Sequence, residues 1–390
     1  MKDVYVIGAG QSPYGSFPDE TYLSLFDTAF DSLLRSVGDG FSPGQIDEAY
    51  LGTLGVGGRQ IGLSAPAVTE YVGLHGIPTT RIENACAASG YAFRQAVAAV
   101  RSGMADVALA GGYEVMTDTS ADQTKWWLGV SGEMEYERMS GTTFAGVYAQ
   151  MASAHMKKHG TTVEDLSRVA VKNHANGAKN EKAHLQFDCT LDDAVNAPLV
   201  ADPLNLYHCC PTSDGASAVL VATSEVAREL SVPMIRVAGT GASSGRVGLF
   251  QRETLTRIPA TVRAATDAYA EAGVDPDSID VAELHDCFAI AELLAYEDLG
   301  FCERGDAGAF IRAGETNPDG SLPTNTSGGL KSKGHPIGAT GTGQIVELVS
   351  QLRGTAAVQV SDPTYGLAHN VGGSGGGATV AILERVEGRR

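Results

Sequence analysis

The chain has 390 residues, 43% of them apolar, and a formal net charge of −18. That length exceeds what one simple core usually holds, so two domains or a duplicated one are expected. So acidic a chain argues against a nucleic-acid or anionic-membrane surface, both of which need clustered positive charge, while an anionic small molecule needs only a local basic patch.

Val4-Tyr5-Val6-Ile7 reads as a buried strand, followed by Gly8-Ala9-Gly10-Gln11-Ser12-Pro13. This loop lacks the third glycine of a dinucleotide fingerprint, and Pro13 stands where the fingerprint's helix should run, so nucleotide binding there is disfavoured. Helical periodicity covers Tyr22 to Val37, Glu48–Gly52 is a strand, and Ala65 to His75 is helical again. Alternation of this kind implies a layered α/β fold. Next comes Glu83-Asn84-Ala85-Cys86-Ala87-Ala88-Ser89-Gly90, a lone cysteine before a run of small residues that opens a helix. A free cysteine is often simply buried, but at a helix N-terminus the exposed N–H groups and dipole favour the thiolate, the reactive form. Cys86 is therefore a candidate nucleophile. Its helix continues through Tyr91, Phe93, Ala96, Val97 and Val100 to Arg101, and Asp106–Ala110 follows as a central strand.

From about Thr117 to Pro198 the character changes to Trp126-Trp127, many Met and Ser, and the basic residues Lys157, Lys158, His159, Lys172, His174, Lys179 and Lys182. This is expected to be an insertion outside the sheet, with its lysines the candidates for a phosphorylated ligand or merely a solvated face. His208-Cys209-Cys210 are adjacent and so poorly placed to converge on one metal ion. A strand at 216–222 closes the first half.

At Pro233–Gly239 the order of parts starts again. A strand entering glycines occurs at Val4 and at Met234, a second strand at Glu48 and at Asp280, a loop before small residues at Asn84 and at Asn325, and an apolar strand at Asp106 and at Ala356. This suggests a duplicated unit, 1–232 with the insertion at about 117–198, then 233–390, and a site where the halves meet. The second half carries Glu283-Leu284-His285-Asp286-Cys287-Phe288 at a strand's C-terminal end, where α/β proteins hold ligands. It also carries the glycine-rich Gly328–Gly341 stretch with its single His335, which could exchange a proton with Cys86 or donate to an oxyanion. The six cysteines (Cys86, Cys189, Cys209, Cys210, Cys287, Cys302) show no CxxC spacing, and neither a leader, a spanning apolar run nor a C-terminal address in Glu387–Arg390 is visible. Reduced thiols in the cytoplasm are expected.

Asn84–Gly90, His285-Asp286-Cys287-Phe288 and Gly334-His335-Pro336-Ile337-Gly338-Ala339-Thr340-Gly341 resemble the three signature blocks of the thiolase family over nearly the whole chain. The His-Asp-Cys-Phe block resembles the sterol-carrier-protein type, whereas the commonest thiolases carry Asn-Glu-Ala-Phe. His369–Ala378 departs from the family pattern by lacking the second cysteine of Cys-x-Gly, which fits the presence of Cys287. The resemblance implies a duplicated five-layer αβαβα fold with an inserted loop domain, and thiolytic cleavage of 3-ketoacyl-CoA or the reverse condensation. It implies Cys86 as acyl carrier, His335 as its activating base and oxyanion donor, Cys287 as acid/base, and His285 as holder of an oxyanion water. Backbone N–H groups of Cys86 and of the Gly373–Gly377 segment, Gly373 and Gly375 among them, would hold the other oxyanion. It further implies coenzyme A as substrate with no cofactor or metal, a homodimer or tetramer with Thr80–Glu83 at the two-fold axis, and, in some relatives, a small OB-fold partner. A thiolase-like aldolase, which needs no acyl-cysteine, a condensing synthase, and a non-catalytic lipid-binding protein are the competing readings.

Overall fold

The structure, a computed structural model, describes residues 2–386, so the Glu387–Arg390 segment lies outside the described residues. The first half runs β1 (Val4–Gln11), α1 (Tyr22–Val37), β2 (Glu48–Gly52), α2 (Ser64–Tyr71), β3 (Thr79–Ile82), α3 (Ala88–Ser102) and β4 (Val107–Glu114). The chain then leaves the sheet for α4 (Ala121–Gly129), α5 (Phe144–His159), α6 (Val163–Gly177), α7 (Leu191–Val195) and the small hairpin β5 (Leu199–Ala201) and β6 (Leu204–Asn205). It returns through β7 (Gly215–Thr223) and α8 (Ser224–Glu229). The second half comprises β8 (Ile235–Ser244), α9 (Pro259–Ala272), β9 (Val281–Glu283), α10 (Ala289–Asp298), α11 (Ala307–Arg312), α12 (Gly329–Ser332), α13 (Thr340–Arg353), β10 (Tyr365–Gly372) and β11 (Gly377–Arg385).

Nine strands form one sheet in the order β3-β2-β4-β7-β1-β8-β11-β10-β9. Read outward from the middle, the halves repeat each other. β1/β7 and β4/β7 are antiparallel with β2/β4 parallel, and β8/β11 and β10/β11 are antiparallel with β9/β10 parallel. Thr324 bridges Ala282 in parallel, where the first half has β3 on β2. The halves join through two residue pairs, Tyr5↔Arg236 and Val6↔Ile235.

Five layers follow from the apolar patterns. α1 buries Leu25, Phe26, Ala29, Phe30 and Leu33, at helical spacing, on the outer face of the first half. α9 and α10 cover the outer face of the second half. Between the two inner faces lie α3, through Phe93, Val97 and Val100, and α13, through Ile345, Leu348, Val349 and Leu352. Each such side chain, fully buried, contributes about 1.5–3 kcal/mol. No helix among the described residues is long and apolar enough to cross a membrane.

One expectation of parallel order needs correcting. The loop at Asn325 does follow the Thr324 bridge as Asn84 follows β3, yet α12 and the His335 loop intervene before the long helix α13. Nor does the apolar run at Ala356 form a strand; its equivalent of β4 is β10, beginning at Tyr365. The Gln351 side chain holds 358–360 instead, donating to the Val358 carbonyl at 2.7 Å and accepting the Val360 N–H at 2.9 Å, so this backbone is paired without a ladder.

α3 and α13 touch through glycine. A Cβ on Gly341 would lie 2.4 Å from both the Gly90 nitrogen and Asn370 Oδ1. Gly341→Ala should therefore separate the helices and lower stability by about 1–3 kcal/mol, read as a reduced urea midpoint. An unchanged midpoint would mean that the contact is not needed.

Candidate active site

Asn84, Ala85, Cys86 and Ala87 form the turn that enters α3. Ala85 takes a left-handed φ of 48°, strained for a residue with a Cβ, and Glu83 Oε1 accepts its N–H at 2.6 Å. Asn370 of β10 donates through Nδ2 to the Cys86 carbonyl at 2.9 Å. Held this way, Cys86 opens onto a cavity of about 110 Å³ whose walls include Met116, Leu128, Phe144, Phe288 and Ile337, with Cys287, Cys210, His335 and Gly373 also facing it.

The helix N-terminus does not make Cys86 a thiolate at rest. Burial, and after it the nearby Cys210, push its thiol up to about 12 against the lowering effect of the Gly373 N–H. Desolvation outweighs the dipole because the Cys86 side chain is buried. The expectation of a helix-activated thiolate is thus overturned, and a base is required.

His335 has the geometry of that base. Its backbone N–H donates to Ser213 Oγ at 3.2 Å, and its Nδ1 lies 2.7 Å from Thr340 Oγ1. The single proton of that hydroxyl goes to the Pro336 carbonyl at 2.9 Å, so Thr340 accepts from His335 Nδ1–H and leaves Nε2 as the lone pair. Burial, with Lys331 nearby, lowers the imidazole to about 3 and keeps it neutral. Ligand atoms of Cys86, His285 and His335 all lie within 4.8 Å of one another. A soft divalent ion could take such a set, but ligation would consume the thiol as a nucleophile.

His285 stands edge-on to His335, ring centres 5.1 Å apart. Asn370 Nδ2 approaches its Nδ1 at 3.2 Å, which assigns the proton to Nε2, and that buried Nε2 has no partner. Burial, His335 and His369 together drive its pKa far down, so it is a neutral donor. Cys287 follows two residues later, its thiol raised mainly by burial and then by Cys86. Asp286, between them, faces away from the cavity. It accepts from Leu330 N–H at 2.6 Å and Asn173 Nδ2 at 2.7 Å, tying the His-Asp-Cys-Phe block to α12 and α6.

Glu114 gathers the remaining loops, its carboxylate accepting from the N–H groups of Leu54, Gly55 and Val56 at 2.9 Å each and of Gly338 at 3.1 Å.

Cys86, His335, Cys287, His285 and Gly373 are thus brought together. Gly375 is not: its N–H is committed to the Gly372 carbonyl at 3.1 Å in a tight turn, and it lies against Ile258, outside the cavity lining. The basic residues of the insertion do not line the cavity either. Lys172 is buried against Glu292 at 2.7 Å and Lys182 donates to the Gln11 carbonyl, while Lys157, Lys158 and Lys179 point to solvent. Three participants escaped the sequence reading: Thr340, Cys210 and Asn370. For Asn370 a signal existed, since Asn370-Val371-Gly372 has asparagine where Cys-x-Gly would have its cysteine.

A cysteine–histidine pair, a second thiol and a neutral histidine donor at the meeting of two repeated α/β halves define an acyl-transferring enzyme. The family model of the thiolase N-terminal domain matches residues 4–225, and that of the thiolase C-terminal domain-like family matches 241–385. An acetyl-CoA acetyltransferase of Methanothermobacter thermautotrophicus is 41% identical, covering 99% of this chain and 100% of the relative. Sterol carrier protein 2 of Rattus norvegicus is 33% identical over 98% of this chain and 72% of its own length. A solved Ltp2–ChsH2(DUF35) aldolase superposes with a TM-score of 0.86 at 28% identity, over 100% of this chain and 99% of that one. The chain belongs to the thiolase family.

A pH dependence follows from the buried thiol. With its pKa raised to about 12, Cys86 is protonated at neutral pH and its thiolate fraction grows about tenfold per pH unit. Alkylation of Cys86 by iodoacetamide should climb from about pH 6 to about pH 9 without a plateau. A plateau with its midpoint near 6 would instead reveal a resting thiolate–imidazolium pair.

Proposed function

We propose that this acyltransferase condenses two short acyl-CoA molecules into a 3-ketoacyl-CoA, and in reverse cleaves the ketoester with CoA, through an acyl-Cys86 intermediate. The observation that carries the reading is the convergence of Cys86 with the rings of His335 and His285 on a cavity that Cys287 also lines.

The proton count closes over the cycle. His335 Nε2 takes the Cys86 proton as its sulfur attacks the thioester carbonyl, and the N–H groups of Cys86 and Gly373 meet the oxyanion. Collapse expels the CoA thiolate, which takes the Cys287 proton and leaves as thiol. Cys287, now the thiolate, removes an α-proton from the second acyl-CoA. The enolate oxygen faces the Nε2–H groups of protonated His335 and of His285, and its carbon attacks the acyl-Cys86 carbonyl. Release of the ketoester returns the His335 proton to Cys86. Nothing is oxidised or reduced, so coenzyme A serves as substrate and no redox cofactor is called for.

The acyl group is short. A cavity of about 110 Å³ walled by Met116, Leu128 and Phe144 is in keeping with a small acyl group, and a relative at 41% identity is an acetyl-CoA acetyltransferase. β3 forms one edge of the nine-stranded sheet, and pairing of that edge across a two-fold axis is the assembly proposed, a homodimer or a pair of them in the cytoplasm. A small OB-fold partner is also in keeping with the neighbouring aldolase, itself solved as a pair of proteins.

Thiolysis, followed by loss of enolate absorbance, should be fastest with acetoacetyl-CoA and fall at least about tenfold for long-chain 3-ketoacyl-CoA esters. Equal rates along the series would remove the short-chain assignment. The similarity to an aldolase supports a second reading, cleavage of a β-hydroxyacyl-CoA without an acyl-cysteine. Mass spectrometry separates them: wild type incubated with acetyl-CoA should gain an acetyl group that Cys86→Ala does not. An unchanged increment in the variant would sink the nucleophile assignment, and no increment in either would favour the aldolase.

A further inference from the structure

Tyr148 of α5 has no part in the steps above, yet it touches both reacting thiols' surroundings. It is wholly buried. Its ring stacks on Phe288, centres 4.6 Å apart and planes 23° from parallel. Its hydroxyl donates to the Gly373 carbonyl at 2.9 Å, and the phenol and the Cys287 thiol lie close enough to shift each other's titration. The Gly373 N–H, in turn, lowers the pKa of the Cys86 thiol across the same cavity. One phenol therefore joins the loop that holds the nucleophile to the thiol that handles the α-proton.

We propose that Tyr148 is a positioning residue for the carbon–carbon step, its hydroxyl turning from the Gly373 carbonyl to the Cys287 thiolate when that thiolate forms. The inference rests on the acyl-Cys86 reading given above. A phenol has one proton and two potential acceptors here, Gly373 O and Cys287 Sγ. While Cys287 is a thiol, it can donate its own S–H to the phenol oxygen, and the phenol proton stays on Gly373. Once Cys287 has given its proton to the departing CoA sulfur, it becomes a buried anion, for which an O–H donor is worth far more than for a neutral thiol. The other charged or titratable groups near Cys287 are Cys86 from the turn before α3, Cys210 and His335 across the cavity, Asp286 beside it and Lys331 of α12. Asp286 opposes the anion, Lys331 and the protonated His335 favour it, and Cys86, acylated at this stage, carries no charge. The stack on Phe288 and the packing of α5 hold the ring, leaving the hydroxyl proton as the part free to turn. Stabilising the thiolate lets it form from Cys287, and keeping it on Tyr148 aims it at the α-carbon.

Tyr148→Phe retains the ring, the stack and the volume while removing the donor. Two rates are to be measured: acetylation of Cys86 by acetyl-CoA, from the mass increment, and exchange of the acetyl-CoA methyl protons with deuterated solvent. Exchange should fall about ten- to hundredfold and its rise with pH should move to higher pH, while acetylation stays within about threefold of wild type. Exchange at the native rate, or a matched fall in both rates, would overturn the proposal. Should the phenylalanine variant not fold, difluorotyrosine at 148, a stronger donor, must move the exchange profile to lower pH, and an unmoved profile overturns it equally. If wild type shows neither acetyl-Cys86 nor exchange, the functional reading itself fails, an outcome distinct from normal wild-type behaviour with an indifferent variant.

Discussion

α3 and α13 are packed backbone to backbone between the two inner faces of the sheet, and the chemistry depends on that approach. Gly90 and Gly341 carry no Cβ at the contact, and a similar pair acts one layer away, where a Cβ on Gly112 would fall 1.9 Å from the Gly338 carbonyl. Because the helices start side by side, the turns that lead into them share one small volume. Cys86 leaves the first turn and His335 the second. Asn370 spans both, holding the Cys86 carbonyl and orienting His285, while Ser89 Oγ accepts the Thr342 N–H across the same seam at 3.1 Å. Larger residues at the glycines would move each of these groups by the width of a methyl, and proton transfer does not tolerate such a displacement.

Around this seam the protein keeps its permanent charges and its transient ones apart. The framework is ionic: Lys172 with Glu292, Lys333 with Glu283 at 3.6 Å, and Asp286 on the N–H groups of α12. Pairs as buried as these add little net stability, but removing one partner is severe, so they act as fixed ties between α6, α10 and the glycine-rich loop. The reacting groups are neutral at rest. Burial raises both thiols and lowers both histidines. Charge therefore arises only as bonds change, in a place where donors already point at it and little reorganisation is required.

The parts legible in the sequence were those whose signal is local. Periodic apolar residues delimited α1 at Tyr22–Val37, and Glu48–Gly52 was readable as a strand. Cys86, His285, Cys287 and His335 stood out because few residue types do this chemistry and three family-like blocks carried them. Thr340, Asn370 and Tyr148 are ordinary residue types whose meaning lies in what the fold sets opposite them; Tyr148 and Gly373 are separated by 225 positions. The lysines stay ambiguous for the reverse reason. A positive charge in sequence does not reveal that Lys172 will be buried on a glutamate. The apolar run at Ala356 failed as a strand because the side chain of Gln351, not a neighbouring strand, satisfied its backbone.

The repeated topology has a consequence for when the enzyme becomes reactive. The nucleophile comes from one half, while the base, the second thiol and the asparagine that grips the nucleophile's carbonyl come from the other, 284 residues away in the case of Asn370. A chain emerging with only its first half structured carries a protonated thiol with no base beside it. Contacts of such long range are the last to be rewarded during folding. Competence to accept an acyl group therefore needs both halves in place, so an acylated Cys86 reports that the two have met.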